Sequence, residues 1–139
     1  EQIKRYHAKI SGPILERIDI HIEVPLLTAN ILANINYEQQ ETSAIVRDRV
    51  IAASKKQLAN NGTYNVYLDN KATQKYCLLS KEAEKTLLHA AAKFHLSTRS
   101  YYKIIRVAQT ISDLSTSNKI EFAHIAEALS LRKLDQYHN

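Results

Sequence analysis

Four basic residues carry most of the chemistry this sequence offers: Arg17, Arg99, Lys103 and Arg106. An arginine is always charged and presents a planar fork of donors, which suits a phosphate or a phosphoryl group in transfer. Arg17 closes a short helical turn just ahead of an alternating run. There it either faces such a phosphate or pairs on the surface with Glu16, Asp19 or Glu23. Arg99 follows Ser97, a side chain suited to cap a helix. That puts Arg99 in a first turn, where unpaired N–H groups and the helix dipole favour an anion. Lys103 and Arg106 follow at i+4 and i+7, so the three basic residues share one helix face. That face is either a contact for phosphate or a nucleic-acid backbone, or a solvated basic surface.

The remaining reactive residue types form no constellation. The histidines (His7, His21, His89, His95, His124 and His138) contain no i, i+4 pair and have no carboxylate at metal-ligand spacing. His89 and His124 fall within helical stretches and are expected to be partly solvated. Cys77 is expected to be a small buried hydrophobe, because nothing near it in the sequence would lower its pKa. No serine or cysteine has a recognisable base and orienting partner, so nucleophilic catalysis has no support. With two glycines, Gly12 and Gly62, the chain cannot build a phosphate-cradling glycine loop.

Composition sets the frame for these residues. The chain has 139 residues, 45% hydrophobic and 24% charged, which fits one ordinary globular domain or two very small ones. Lysine and arginine number 19 against 14 acidic residues, and a net charge of +5 favours anionic partners. No apolar run reaches the ~20 residues of a membrane helix, and the first residues show no signal-peptide pattern. A lone cysteine excludes an internal disulfide framework, and a reducing, cytoplasmic setting is expected. The sequence lacks methionine and begins at Glu1, so we expect a piece of a longer polypeptide.

Patterning places the elements that must position the arginines. Residues 1–10 read as the end of a helix, stopped by Ser11-Gly12-Pro13, and Pro13 opens a short turn through Arg17. Ile18-Asp19-Ile20-His21-Ile22-Glu23-Val24 alternates apolar and polar throughout, which predicts a strand with its apolar side buried. No second run of this quality follows, so its sheet partners are expected outside the chain, with residues up to about 40 poorly anchored. Residues 26–42 read as a linker. Ser43 is expected to cap a helix to about Asn60, with Val46, Val50, Ala53 and Leu58 inward, ended by Asn60-Asn61-Gly62. A short helix is expected near Asn70–Tyr76. Ser80 caps a helix to about His95 with Ala83, Leu87, Ala90, Ala91 and Phe94 inward. Ser97 caps another to about Leu114, whose stripe is Tyr101, Ile104, Ile105, Ala108 and Ile111. A last helix over Glu121–Arg132 is expected to bury Phe122, Ile125, Ala126 and Leu129. The fold class is therefore mainly α: a bundle of about four helices over residues 43–139, preceded by a remnant strand in residues 1–25.

Three blocks of residues resemble a known family. They are Lys9-Ile10-Ser11-Gly12-Pro13-x-Leu15-x-Arg17 running into the alternating segment; Ile45-Val46-Arg47-x-Arg49-Val50; and Leu96-Ser97-x-Arg99-x-Tyr101, Ile104-x-Arg106-Val107-Ala108 with Glu127-Ala128-Leu129-x-x-Arg132. Together they resemble the magnesium-chelatase-like AAA+ ATPases, in particular their bacterial competence-protein (ComM-type) branch. The resemblance implies the closing segment of the nucleotide-binding core followed by the helical lid, with the P-loop, the acidic magnesium-binding motif and the first sensor upstream of Glu1. It maps the arginine finger, acting on a neighbouring subunit, onto Arg17 and the second sensor onto Arg99. It implies ATP and Mg2+ as cofactors of the full-length protein, a homo-oligomeric ring, and work on DNA such as branch migration during uptake and recombination. The chain alone is then expected not to hydrolyse ATP. Two positions depart from the family pattern: Gln109 and Lys103 stand where arginine is usual. Two alternatives stay open, a stand-alone basic helical DNA-binding module and a magnesium-chelatase motor subunit.

Overall fold

A computed structural model of the chain describes residues 14, 16–22, 24–26, 41–115 and 117–132. The expected helix over residues 1–10 and nearly all of the expected linker lie outside the described residues. Among the described residues five α-helices and one 3₁₀ turn follow in order: α1 (Ser43–Asn61), the 3₁₀ turn (Asn65–Tyr67), α2 (Asn70–Tyr76), α3 (Lys81–Lys93), α4 (Thr98–Leu114) and α5 (Phe122–Ser130). The fold is mainly helical, and the only β pairing among the described residues is an isolated parallel bridge, Leu79 to Ile120. Ile120 donates to the Leu78 carbonyl at 2.8 Å and accepts from Ser80 at 2.9 Å, so α3 and α5 start side by side.

Local chemistry sets the helix ends. Thr42, rather than Ser43, caps α1 by accepting from the Ile45 N–H. Gly62 ends it in the left-handed region at φ 71°, donating to the Leu58 carbonyl, as glycine does without a steric penalty. Asp69, Ser80 and Ser97 accept N–H bonds at the starts of α2, α3 and α4. The corner between α3 and α4 is a Schellman turn: Leu96 donates to the Ala91 carbonyl while His95 sits at φ 48°.

The core is built by α3, α4 and α5. Leu87, Ile104, Ile120 and Ile125 are fully buried, with Ala83, Ile105, Ala108, Ala128 and Cys77 beside them. Alanine at the crossings lets the helix backbones approach closely enough for the isoleucines to interlock. α4 is central and contacts α5, α1, α2 and the 3₁₀ turn. The stripes expected for α3 and α4 face this core, whereas Phe122 of α5 is exposed and His124 takes the buried position.

Helix α1 departs most from expectation. Of its four supposed inward residues only Ala53 is buried, joined by Gln57, while Val46, Val50 and Leu58 are exposed. Its seam with α4 is polar. The Asp113 carboxylate accepts from Asn65 and Gln109, each at 2.9 Å, and Lys56 lies 3.7 Å away. Gln57 accepts from the Asn65 N–H at 3.1 Å and Asn65 also donates to Thr110. Buried polar groups paired in this way replace the apolar contact that the valines would have made.

The expected strand is absent from the described part of residues 18–24. The alternation survives with its faces exchanged. His21 is 8% exposed and lies against the bundle, while Ile22 is 72% and Val24 84% exposed. A strand needs a ladder partner to satisfy its backbone. Here the bundle's own cations and a helix-end carbonyl take those backbone groups instead.

Candidate functional site

Two of the sequence-predicted residues, Arg17 and Arg99, are exposed. Arg99 is the second residue of α4, behind a cap in which Ser97 accepts from the Ser100 N–H at 3.2 Å. Arg17 closes a turn, its N–H donating to the Ile14 carbonyl at 3.0 Å. An exposed guanidinium in the first turn of a helix adds a full charge to the partial positive charge of the helix end, a setting that favours an anion.

The other two are turned into the chain. Lys103 is 7% exposed, donates to the Arg17 carbonyl at 2.6 Å and forms an ion pair with Asp19. Arg106 is half-buried and donates to the Leu68 carbonyl at 3.2 Å. Of the expected basic face, Arg99 is thus exposed, whereas Lys103 and Arg106, expected at a phosphate or DNA contact, donate to carbonyls of the chain itself: residues 17–19 lie against Lys103 and the end of the 3₁₀ turn against Arg106.

Two residues that spacing did not single out, Arg132 and His21, complete the arrangement. Arg132 is 3% exposed, donates to the Ile18 carbonyl at 2.9 Å and the Asp19 carbonyl at 3.3 Å, and reaches the Ser100 hydroxyl at 3.4 Å. The His21 N–H donates to the Leu131 carbonyl at 2.6 Å. Neither nitrogen of the His21 ring has a hydrogen-bond partner among the described residues. Three successive carbonyls, from Arg17 to Asp19, thus accept from cations of the bundle. Successive carbonyls of a flat strand point to opposite edges, so this one-sided capture excludes strand geometry. The signal in the sequence was the polar half of the alternating run, Asp19 and His21.

The remaining titratable groups are structural. Burial, with the nearby Asp113 charge, pushes the Cys77 thiol up from 9.0 to about 12, only partly offset by Arg106. His124 is buried rather than solvated. Its Nδ1 accepts from the Glu121 N–H at 3.0 Å and Nε2 lies 3.0 Å from the Ser115 hydroxyl, so it serves as a helix cap. Among the described residues no group of three or more His, Cys, Asp or Glu side chains gathers for a metal ion. No helix among them is long and apolar enough to cross a membrane.

The described residues thus form a helical bundle with the Arg17 turn docked on it and Arg99 exposed at a helix start. The chain belongs to the family described as magnesium chelatase, subunit ChlI, C-terminal, which matches residues 40–132. Residues 1–32 match the companion family, magnesium chelatase, subunit ChlI. The chain is 40% identical over 134 residues to the competence protein ComM of Haemophilus influenzae, covering 96% of this chain and 26% of that protein. It is 36% identical over 140 residues to YifB of Escherichia coli, covering 98% of this chain and 27% of that protein. The chain thus spans about a quarter of the length of the curated relatives it matches.

Proposed function

We propose that this chain is the C-terminal, lid-bearing portion of a ring-forming, cytoplasmic AAA+ ATPase that acts on DNA, as in branch migration during DNA uptake and recombination. In this reading the full-length protein binds ATP and Mg2+ upstream, and its subunits assemble as a homo-oligomeric ring. Arg17 is the arginine finger reaching a neighbour's nucleotide, and Arg99 is the second sensor. A finger supplied in trans neutralises charge on the transferring phosphoryl group and makes hydrolysis conditional on assembly. The chain alone lacks a phosphate loop and turns over no ATP.

The observation that carries the reading is the exposure of Arg17 at the close of a turn and of Arg99 in the first turn of α4. Similarity to a protein named for competence supports the DNA assignment. The family's description favours a second reading, a motor for magnesium insertion into a porphyrin. The same arginines would serve it, without stimulation by DNA.

The test is ATP hydrolysis by the full-length protein with and without DNA, for wild type, Arg17→Ala and Arg99→Ala. Arg17→Ala is expected to lose on the order of 10³-fold in turnover and to poison wild-type rings when mixed in. Normal hydrolysis by both variants would make the arginines surface residues and end the proposal. DNA-independent turnover would favour the chelatase motor.

A further inference from the structure

We propose that Lys103, with Arg132 beside it, is a positioning residue that locks the Arg17 turn onto the first turns of α4, so that Arg17 and Arg99 shift as one body. The inference rests on the roles proposed above for those two arginines.

The linkage is continuous. Lys103 lies one helical turn beyond Arg99 and holds both the Arg17 carbonyl and the Asp19 carboxylate. Arg132 holds the next two carbonyls and reaches Ser100, whose own N–H is held by the Ser97 cap of the turn that carries Arg99. The described attachments of the segment run through its backbone carbonyls, the Asp19 carboxylate and the His21 N–H, while Ile18, Ile20 and Ile22 remain exposed. A buried ammonium or guanidinium is tolerated only when paired. Undocking residues 17–21 would strip acceptors from Lys103 and Arg132 together. Docked and undocked are therefore two separated states, and a rotation of α4 carries the Arg17 turn with it.

The first test is amide hydrogen exchange of the 139-residue chain in wild type, Lys103→Met, Lys103→Arg and Asp19→Asn. Lys103→Met is expected to speed exchange in residues 17–22 by about tenfold or more, leaving α3 and α5 unchanged, and Lys103→Arg to restore most of the protection. If Lys103→Met does not fold, Asp19→Asn carries the same expectation from a residue outside the bundle. Unchanged exchange in residues 17–22 overturns the proposal.

The second test uses the full-length ATPase. Lys103→Met is expected to lower kcat by about tenfold or more at unchanged KM for ATP, with recovery in Lys103→Arg. Where Arg17→Ala is itself impaired, a wild-type kcat for Lys103→Met would also overturn the proposal. The two readings fail separately. A silent Arg17→Ala beside altered exchange removes the finger assignment only, and a dead Arg17→Ala beside unaltered exchange removes the lock only.

Discussion

The Arg132 guanidinium donates to the Ile18 carbonyl at 2.9 Å, joining residues 114 positions apart. It lies just beyond α5 and is almost fully buried, although nothing in its local sequence marks it as an inward residue. The bond ties the segment before the bundle to the last turn of the bundle, so the two ends of the described chain stabilise each other.

Arg132→Met should keep the stem packed but leave the Ile18 and Asp19 carbonyls and the Ser100 hydroxyl short of a donor. A loss of about 1–3 kcal/mol is expected, read as a lower urea midpoint at unchanged slope. Arg132→Lys should recover part of it, because a single ammonium cannot span the carbonyls and the hydroxyl at once.

Asp113 is the acceptor at the seam between α1 and α4. Asp113→Ala strands the Gln109 amide and deprives Asn65 and Lys56 of a partner. We expect a loss of about 2–3 kcal/mol in urea unfolding, and a smaller one for Asp113→Asn, which keeps one acceptor oxygen. A neutral result for Asp113→Ala would mean that the seam is held by the Gln57–Asn65 and Asn65–Thr110 bonds instead.

His95 occupies the left-handed region in the turn that sets the start of α4. Glycine adopts that conformation without a Cβ clash, so His95→Gly should raise stability by about 0.4–1 kcal/mol. His95→Val should lower it, β-branching being worst at positive φ. Thermal melts of the two variants should move in opposite directions.

Cys77 makes stability fall at high pH. Its folded pKa, about 12, lies above the ordinary 9.0, so between those values the unfolded chain releases a proton that the folded chain keeps. The unfolded state then binds fewer protons, and stability should decline from about pH 9 and level off near 12. Cys77→Ala should flatten that decline. The native thiol should also resist alkylation at pH 8 and react readily in denaturant.

The helix starts were legible because a cap is a local device. Ser80 and Ser97 each satisfy N–H groups within three residues, and Gly62 ends α1 by its own backbone freedom. The stripes of α3 and α4 were legible for a related reason, since the 3.6 period puts Leu87, Ile104 and Ala108 on faces that can only be buried together. The short helix at Asn70–Tyr76 and the burial of Cys77 followed from the same local reading.

Local pattern failed where burial depends on what lies opposite. The valines of α1 form a respectable stripe, yet the helix meets α4 through Gln57, Asn65 and Asp113. Glu41 and Arg49 pair on its exposed side at 2.8 Å. The alternating run at residues 18–24 predicted two faces without saying which one would be covered.

By itself the sequence determined the helices, their caps, the apolar centre of the bundle and the family. It also placed Arg17 at a turn and Arg99 at a helix start. Only the tertiary structure decided that Lys103 and Arg106 donate to carbonyls within the chain, that His21 is the buried residue of its run, and that Arg132 closes on Ile18. The physical reason is range. Caps and periodicity act within about one helical turn. A buried cation finds its acceptors wherever the fold brings a carbonyl or carboxylate within reach, here 86 and 114 residues away.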